Sequence, residues 1–147
     1  MRLQRPAIML AALWWGGITA LSFLAVPTLF ATLGNPAVAG PAAAKLFSLQ
    51  CWAGIVIGAV LLVLVHRSGP GDNAFALLGL ITFAMLLALV QEFGVAQKIV
   101  TARASGGNLK LWHGVGSAMV LGQWVCSGAL LWRLTLQARG SNGSSVT

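Results

Sequence analysis

Charged residues are scarce in this sequence, and acidic residues are the scarcest. Only 7% of the 147 residues are charged, and the two acids are Asp72 and Glu92. A soluble domain usually carries about 25% charged residues, so these few charges would not cover a surface that faces water. The composition therefore excludes an ordinary soluble domain. With 58% hydrophobic residues, it indicates a protein surrounded by lipid.

Cysteine and the common catalytic motifs are also rare or missing. Cys51 and Cys126 lie in apolar runs at different depths, and no C-x-x-C occurs. This excludes a disulfide framework and indicates two small buried apolar residues. No G-x-S-x-G, P-loop or H-E-x-x-H motif is present, and no nucleophile has a base beside it. We therefore predict that the protein is not an enzyme.

Four apolar runs are long enough to cross a bilayer, which takes about 20 residues each. Clusters of Gly, Pro, Asn and Ser separate them. The pattern predicts helices at about residues 7–33, 41–65, 73–101 and 109–136, followed by a flexible polar tail over 137–147. Short connections make neighbouring helices antiparallel. The predicted fold is all-α: an integral membrane four-helix antiparallel bundle in one domain.

The basic residues indicate contact with lipid headgroups. The nine Lys and Arg residues give a net charge of +7, but they mostly flank the apolar runs, which is typical of lipid contact and not of nucleic-acid binding. Basic residues on the side of the termini are Arg2, Arg5, Arg67, Arg133 and Arg139; those on the other side are Lys45, Lys98, Arg103 and Lys110. By the positive-inside rule, we predict a bacterial inner membrane protein with cytoplasmic termini.

Small residues recur at a spacing of four in two of the predicted helices. Such residues let membrane helices approach closely. The positions are Gly54 and Gly58 in the second helix, and Gly114, Ala118 and Gly122 in the fourth. We predict that they pack inside the bundle, with contact to another subunit as the alternative.

Glu92 is the one acid inside a predicted span. At a rise of 1.5 Å per residue it lies roughly 6 Å inside the lipid boundary. A carboxylate there is costly unless it is protonated, paired or exposed to water. Lys98 lies about 120° around the same helix and does not share its face. A partner is therefore expected from another helix.

All four helices carry polar or broken positions at a similar depth. They are the Phe23 carbonyl freed by Pro27 with Thr28, then Lys45 and Gln50, then Gln91 and Glu92, and finally His113. These residues predict a polar layer near one membrane face. In one interpretation Glu92 forms an ion pair with His113 or Lys45 that sets the helix register. In the other, the layer binds or passes a small solute or ion. A polar patch for a partner protein is a third.

A metal or haem site has weaker support. His113, Glu92, Cys51 and Met85 lie within a few turns of one another, but no ligand spacing indicates copper. A haem between two histidines would require His66, which lies at the opposite face from His113. We predict no metal and no cofactor, with haem or copper as the alternative.

Several short motifs occur in a recognisable order. They are Trp14 or Trp15 with Gly16 or Gly17, then Pro27, Leu29 and Phe30, then Leu46 and Phe47, and finally Trp112, His113 and Gly114. Over residues 7–136 the chain resembles a bacterial family of four-helix membrane proteins of unknown function that is related to transmembrane protein 205. More distantly, its shape is similar to membrane proteins of copper uptake and protoporphyrinogen oxidation. The resemblance implies a four-helix bundle and no established activity.

The predicted function follows from the polar layer. We expect an integral membrane protein that binds or passes a small solute or ion there. The alternative is an accessory subunit that docks on a larger membrane protein complex.

Overall fold

Four long helices form an antiparallel bundle, which confirms the predicted fold class. The computed structural model describes residues 4–69 and 73–143. The helices are α1 (Gln4–Leu33), α2 (Pro36–Arg67), α3 (Ala74–Ser105) and α4 (Leu109–Gly143), and the described residues contain no strand. Arg2 of the basic-residue comparison and residues 144–147 of the predicted tail lie outside the described residues.

Each helix is long and apolar enough to cross a membrane. Since the hydrocarbon core of a bilayer is about 30 Å thick and needs about 20 helical residues, spans of 30 or 32 residues exceed that length. The chain is a multi-pass membrane protein in contact with lipid.

Two helix ends differ most from the predicted bounds. α2 begins at Pro36 and not at 41, because proline suits a first helical turn and the Asn35 Oδ1 atom accepts a hydrogen bond from the Ala37 N–H at 2.9 Å. Pro41 then deprives only the Ala37 carbonyl of its helical donor. α4 continues to Gly143, since helical hydrogen bonds are local and persist where the residues become polar. Residues 137–143 are therefore helical.

Two of the helices contain a π turn at a similar depth. The turns are Leu21–Ala25 in α1 and Gln91–Val95 in α3, and each is closed by a hydrogen bond from an N–H to the carbonyl five residues earlier. Such turns are rare, and many of those that occur lie at functional sites. The turn in α1 ends two residues before Pro27, and the turn in α3 carries Gln91 and Glu92.

Apolar side chains fill one half of the bundle and leave space in the other. The core occupies the half that contains the chain termini and includes Trp14, Ile18, Leu61, Ile81 and Leu130. From the π turn onward, α1 has no buried residue. The less filled half therefore lies toward the connections between α1 and α2 and between α3 and α4.

The small residues of α2 lie against bulky side chains. Gly54 and Gly58 are buried. A Cβ at Gly54 would stand 2.7 Å from Trp14 Nε1, and one at Gly58 would stand 2.6 Å from Met85 Cγ. The absence of a side chain at these two positions is what admits the Trp14 indole between α1 and α2.

The small residues of α4 do not form one continuous contact. A Cβ at Gly122 would stand 2.8 Å from Leu87, whereas a Cβ at Gly114 would have no neighbour within 4 Å. Both Gly114 and Ala118 are exposed. Four residues exceed one turn of 3.6, so a row with this spacing rotates by about 40° per step. Of the two glycines, only Gly122 therefore lies against a side chain of a neighbouring helix.

Candidate functional site

A cavity of about 740 Å³ lies in the less filled half of the bundle. All four helices contribute to its wall, which is largely apolar and includes Ile18, Phe30, Phe47, Val95 and Val120. The cavity exists because the second half of α1 has no buried residue and leaves this space open. Its polar groups are few.

Glu92 lines the cavity and pairs with a hydroxyl. The Ser48 Oγ atom donates a hydrogen bond of 2.7 Å to Glu92 Oε1, joining α2 to the π turn of α3. Among the described residues, no basic side chain forms an ion pair with Glu92. The interpretation of Glu92 as the partner of His113 or Lys45 is therefore corrected: its partner is Ser48, which the sequence analysis did not include.

A chain of three glutamines connects α2, α4 and α3. Gln123 Nε2 donates to Gln91 Oε1 at 2.8 Å, and Gln50 Nε2 donates to Gln123 Oε1 at 3.3 Å. Gln123 is 0% exposed, and the buried Gln50 Oε1 atom has no hydrogen-bond partner in the described part of the chain. Gln91 ends the chain at the cavity wall, beside Glu92.

Aromatic rings line the wall at the same level. Phe23 and Trp124 both line the cavity, and their rings meet edge to face with centroids 6.2 Å apart. Trp124 Nε1 donates a hydrogen bond of 2.9 Å to Thr19 Oγ1, which holds the indole in place. Because Trp124 follows Gln123, this aromatic pair lies close to the level of Gln91 and Glu92.

Two basic groups line the outer end of the cavity. Arg103 and His113 are both exposed, and Arg103 lies against Gly40, where a Cβ would stand 2.7 Å from its Nη2 atom. A Cβ at Gly116 would stand 3.6 Å from Val95 and 4.0 Å from Ile99. Gly116 of α4 is therefore level with the stretch of α3 between Val95 and Ile99. Because the two helices are antiparallel, His113, which precedes Gly116, lies further from Glu92 toward the helix ends, roughly 12 Å along the helix axis at 1.5 Å per residue.

The structure divides the predicted polar layer. Phe23, Gln91, Glu92 and His113 line one cavity, and Gln50 joins it through the glutamine chain. Lys45, Pro27 and Thr28 are exposed and do not line the cavity. Rise along a helix determines only depth, and side chains at equal depth still point in different directions around each helix.

The site also contains polar residues outside the predicted polar layer, among them Ser48 and Gln123. Ser48 and Gln123 lie inside apolar runs, and a glutamine in the middle of a span is as costly to leave unpaired as Gln91. That signal was available for Gln123. For Ser48 no signal existed, because serine is small and often bonds to its own helix backbone.

Metal-ligating side chains do not gather in the described residues. No three His, Cys, Asp or Glu side chains in residues 4–69 and 73–143 come close enough to hold an ion. Cys51 and Cys126 are free and buried.

The comparisons with known proteins give one match. A family model described as a domain of unknown function (DUF4149) matches residues 9–108. The matched residues include Ser48, Gln91 and Glu92, whereas α4 with Gln123 and His113 lies beyond them. No curated protein and no solved structure matches the chain.

Proposed function

We propose, from the premise that this chain belongs to the uncharacterised DUF4149 family, that it binds a small, largely apolar molecule with one polar group in the cavity between its four helices. The observation that carries the proposal is a carboxyl group, Glu92, on the wall of a cavity of about 740 Å³. This proposal makes the predicted small solute more specific.

The dimensions and chemistry of the cavity support binding. Pockets for small ligands measure about 300–1,000 Å³ and are lined mainly by apolar and aromatic side chains with a few polar groups that set orientation. Here the polar groups of the wall include Glu92, Gln91, Ser117 and His113, among apolar and aromatic neighbours. An acid inside a membrane span is costly and marks a functional site by default.

The exposed lining residues suggest two routes of access. Phe23 and Leu121 line the cavity and are more than half exposed on the apolar surface of α1 and α4, where lipid contacts the bundle. Arg103 and His113 are exposed near helix ends, where water is close. An apolar molecule with one polar group suits both routes.

Binding is tested with a neutral probe and two glycine variants of α4. We expect 2-naphthylmethanol to bind the protein in lipid nanodiscs, measured by calorimetry against empty nanodiscs. Gly116→Leu is expected to weaken binding at least about tenfold, because the new side chain occupies the cavity and each tenfold loss corresponds to 1.4 kcal/mol.

Gly114→Leu is the matched control for this experiment. Gly114 lies two residues from Gly116, has no neighbour within 4 Å and does not line the cavity, so binding should be unaffected. Thermal unfolding of both variants verifies that they fold. No binding by the native protein, or equal loss in both variants, would contradict the proposal.

We further propose a bacterial inner membrane location with cytoplasmic termini, supported by the basic residues that flank the helices. Alkaline phosphatase, which is active only outside the cytoplasm, is expected to be active when fused after Asn35 or Asn108 and inactive when fused after Gln137. Fluorescence of a green fluorescent protein fused at the C-terminus is the control. Activity at the C-terminal fusion would reverse the orientation.

The proposed role is non-catalytic and needs neither haem nor copper. Absorption spectroscopy of the purified protein tests for haem, and metal analysis tests for copper. The relation to transmembrane protein 205 stays a prediction, and the accessory-subunit alternative has no support in the contacts described here.

A further inference from the structure

We propose that the ligand of the cavity is an organic cation, an apolar molecule with an ammonium or similar positive group, and that Glu92 binds this group. The inference rests on the proposed function and adds the charge of the ligand. Three observations carry it: the incomplete pairing of Glu92, the position of the other charges, and the aromatic pair at the same level.

The carboxyl group of Glu92 has no positively charged partner among the described residues. Ser48 supplies one hydrogen bond, to Oε1, and Oε2 accepts none from the described residues. A hydroxyl donor brings no positive charge to the carboxyl group. A positive group in the cavity would supply both the missing hydrogen bond and the opposite charge, and such charge-assisted bonds are about twice as strong as neutral ones.

The basic residues near the cavity do not supply that charge. Arg103 is eleven residues beyond Glu92, roughly 16 Å at 1.5 Å per residue, and forms no ion pair with it. His113 lies at the same outer end. Lys45 is exposed outside the cavity, and Lys98 lies over the Trp112 ring, 6.0 Å from its centroid.

Aromatic rings line the same cavity as the acid. The edge-to-face pair of Phe23 and Trp124 adjoins the glutamine chain that ends at Gln91. The face of an aromatic ring carries partial negative charge and attracts cations within about 6 Å. A carboxyl group, aromatic rings and apolar walls in one cavity form a combination that favours an organic cation over a neutral or anionic molecule of the same shape.

Three probes with the same naphthalene body test the inference: 2-naphthylmethylammonium, 2-naphthylmethanol and 2-naphthoate. Binding is measured by calorimetry in nanodiscs of neutral phosphatidylcholine, with empty nanodiscs as reference, so that anionic lipid does not concentrate the cation. We expect the ammonium to bind at least about tenfold more tightly than the alcohol, because the ammonium adds a positive charge to the hydrogen bond with Glu92. Of the three probes, 2-naphthoate should bind most weakly.

Variants connect the preference to Glu92. In Glu92→Gln the ratio of ammonium to alcohol affinity should fall to about 1, whereas Ser48→Ala retains the carboxyl group and should retain the preference. The comparison of probes on the native protein does not depend on either variant folding. The inference is overturned by an alcohol affinity equal to that of the ammonium, by preferential binding of naphthoate, or by an unchanged ratio in Glu92→Gln. If no probe binds, the proposed function itself fails, so the two failures are distinguishable.

Discussion

Gly54→Val is expected to destabilise the bundle by about 1–3 kcal/mol, the usual cost of forcing extra atoms into a filled core. A Cβ at Gly54 would stand 2.7 Å from Trp14 Nε1 and 3.3 Å from Cε2, and Trp14 is 2% exposed. The indole has little room to move, because it also lies close to Gly58. Reversible unfolding in mixed detergent micelles measures the change.

Gly114→Val is the matched control for this prediction. Both glycines are helical, so the change in helix propensity is the same. A Cβ at Gly114, however, would have no neighbour within 4 Å. The free energy of unfolding of the Gly114→Val variant should stay within about 0.5 kcal/mol of that of the native protein. Trp14→Phe removes the indole nitrogen and should reduce the effect of Gly54→Val in the double variant, since residues in contact are coupled. Equal destabilisation of the two valine variants would show that the overlap with Trp14 is not the cause.

Gln123→Leu is expected to cost about 1–2 kcal/mol. The substitution removes the hydrogen bonds to Gln91 Oε1 and Gln50 Nε2 and leaves two buried polar groups without their partner. Each such group costs about 1–3 kcal/mol in water-soluble proteins. Hydrogen bonds between membrane helices average about 0.6 kcal/mol, so the lower part of the combined range is expected. The same unfolding assay measures it.

The triple variant in which Gln50, Gln91 and Gln123 all become leucine should recover much of this loss. Replacing every partner by apolar groups of similar size leaves no polar group unpaired. Gln97→Leu controls for hydrophobicity, because Gln97 is exposed and its side chain belongs to no such chain. A triple variant less stable than Gln123→Leu would contradict the role of the three glutamines as one connected group.

The elements of the fold were predictable to different degrees. Long apolar runs separated by Gly, Pro and Asn are sufficient to predict four spanning helices, because the bilayer requires about 20 apolar residues and internal backbone hydrogen bonds for each. The helix ends were less predictable. Pro36 is expected to act as a breaker and Pro41 to begin the second helix, although both lie in the first turns of α2, and the polar residues 137–143 remain helical.

The two π turns were beyond prediction from composition or periodicity. Each changes the direction of side chains by shifting one hydrogen bond from the fourth to the fifth residue. Only the turn at Gln91–Val95 coincides with a visible signal, the isolated acid. Pro27 gave a signal for a broken helix in α1, but the break precedes it, at Leu21–Ala25.

The sequence by itself determined that this protein crosses the membrane four times, because hydropathy and helix length are properties of each segment alone. It also marked Glu92 as exceptional, since an acid among apolar residues is visible without any neighbour. Only the tertiary structure decided that Ser48 is its partner, that Lys45 lies outside and that a cavity adjoins the acid. These facts depend on the rotation of each helix about its own axis, which side chains from all four helices set together when they pack.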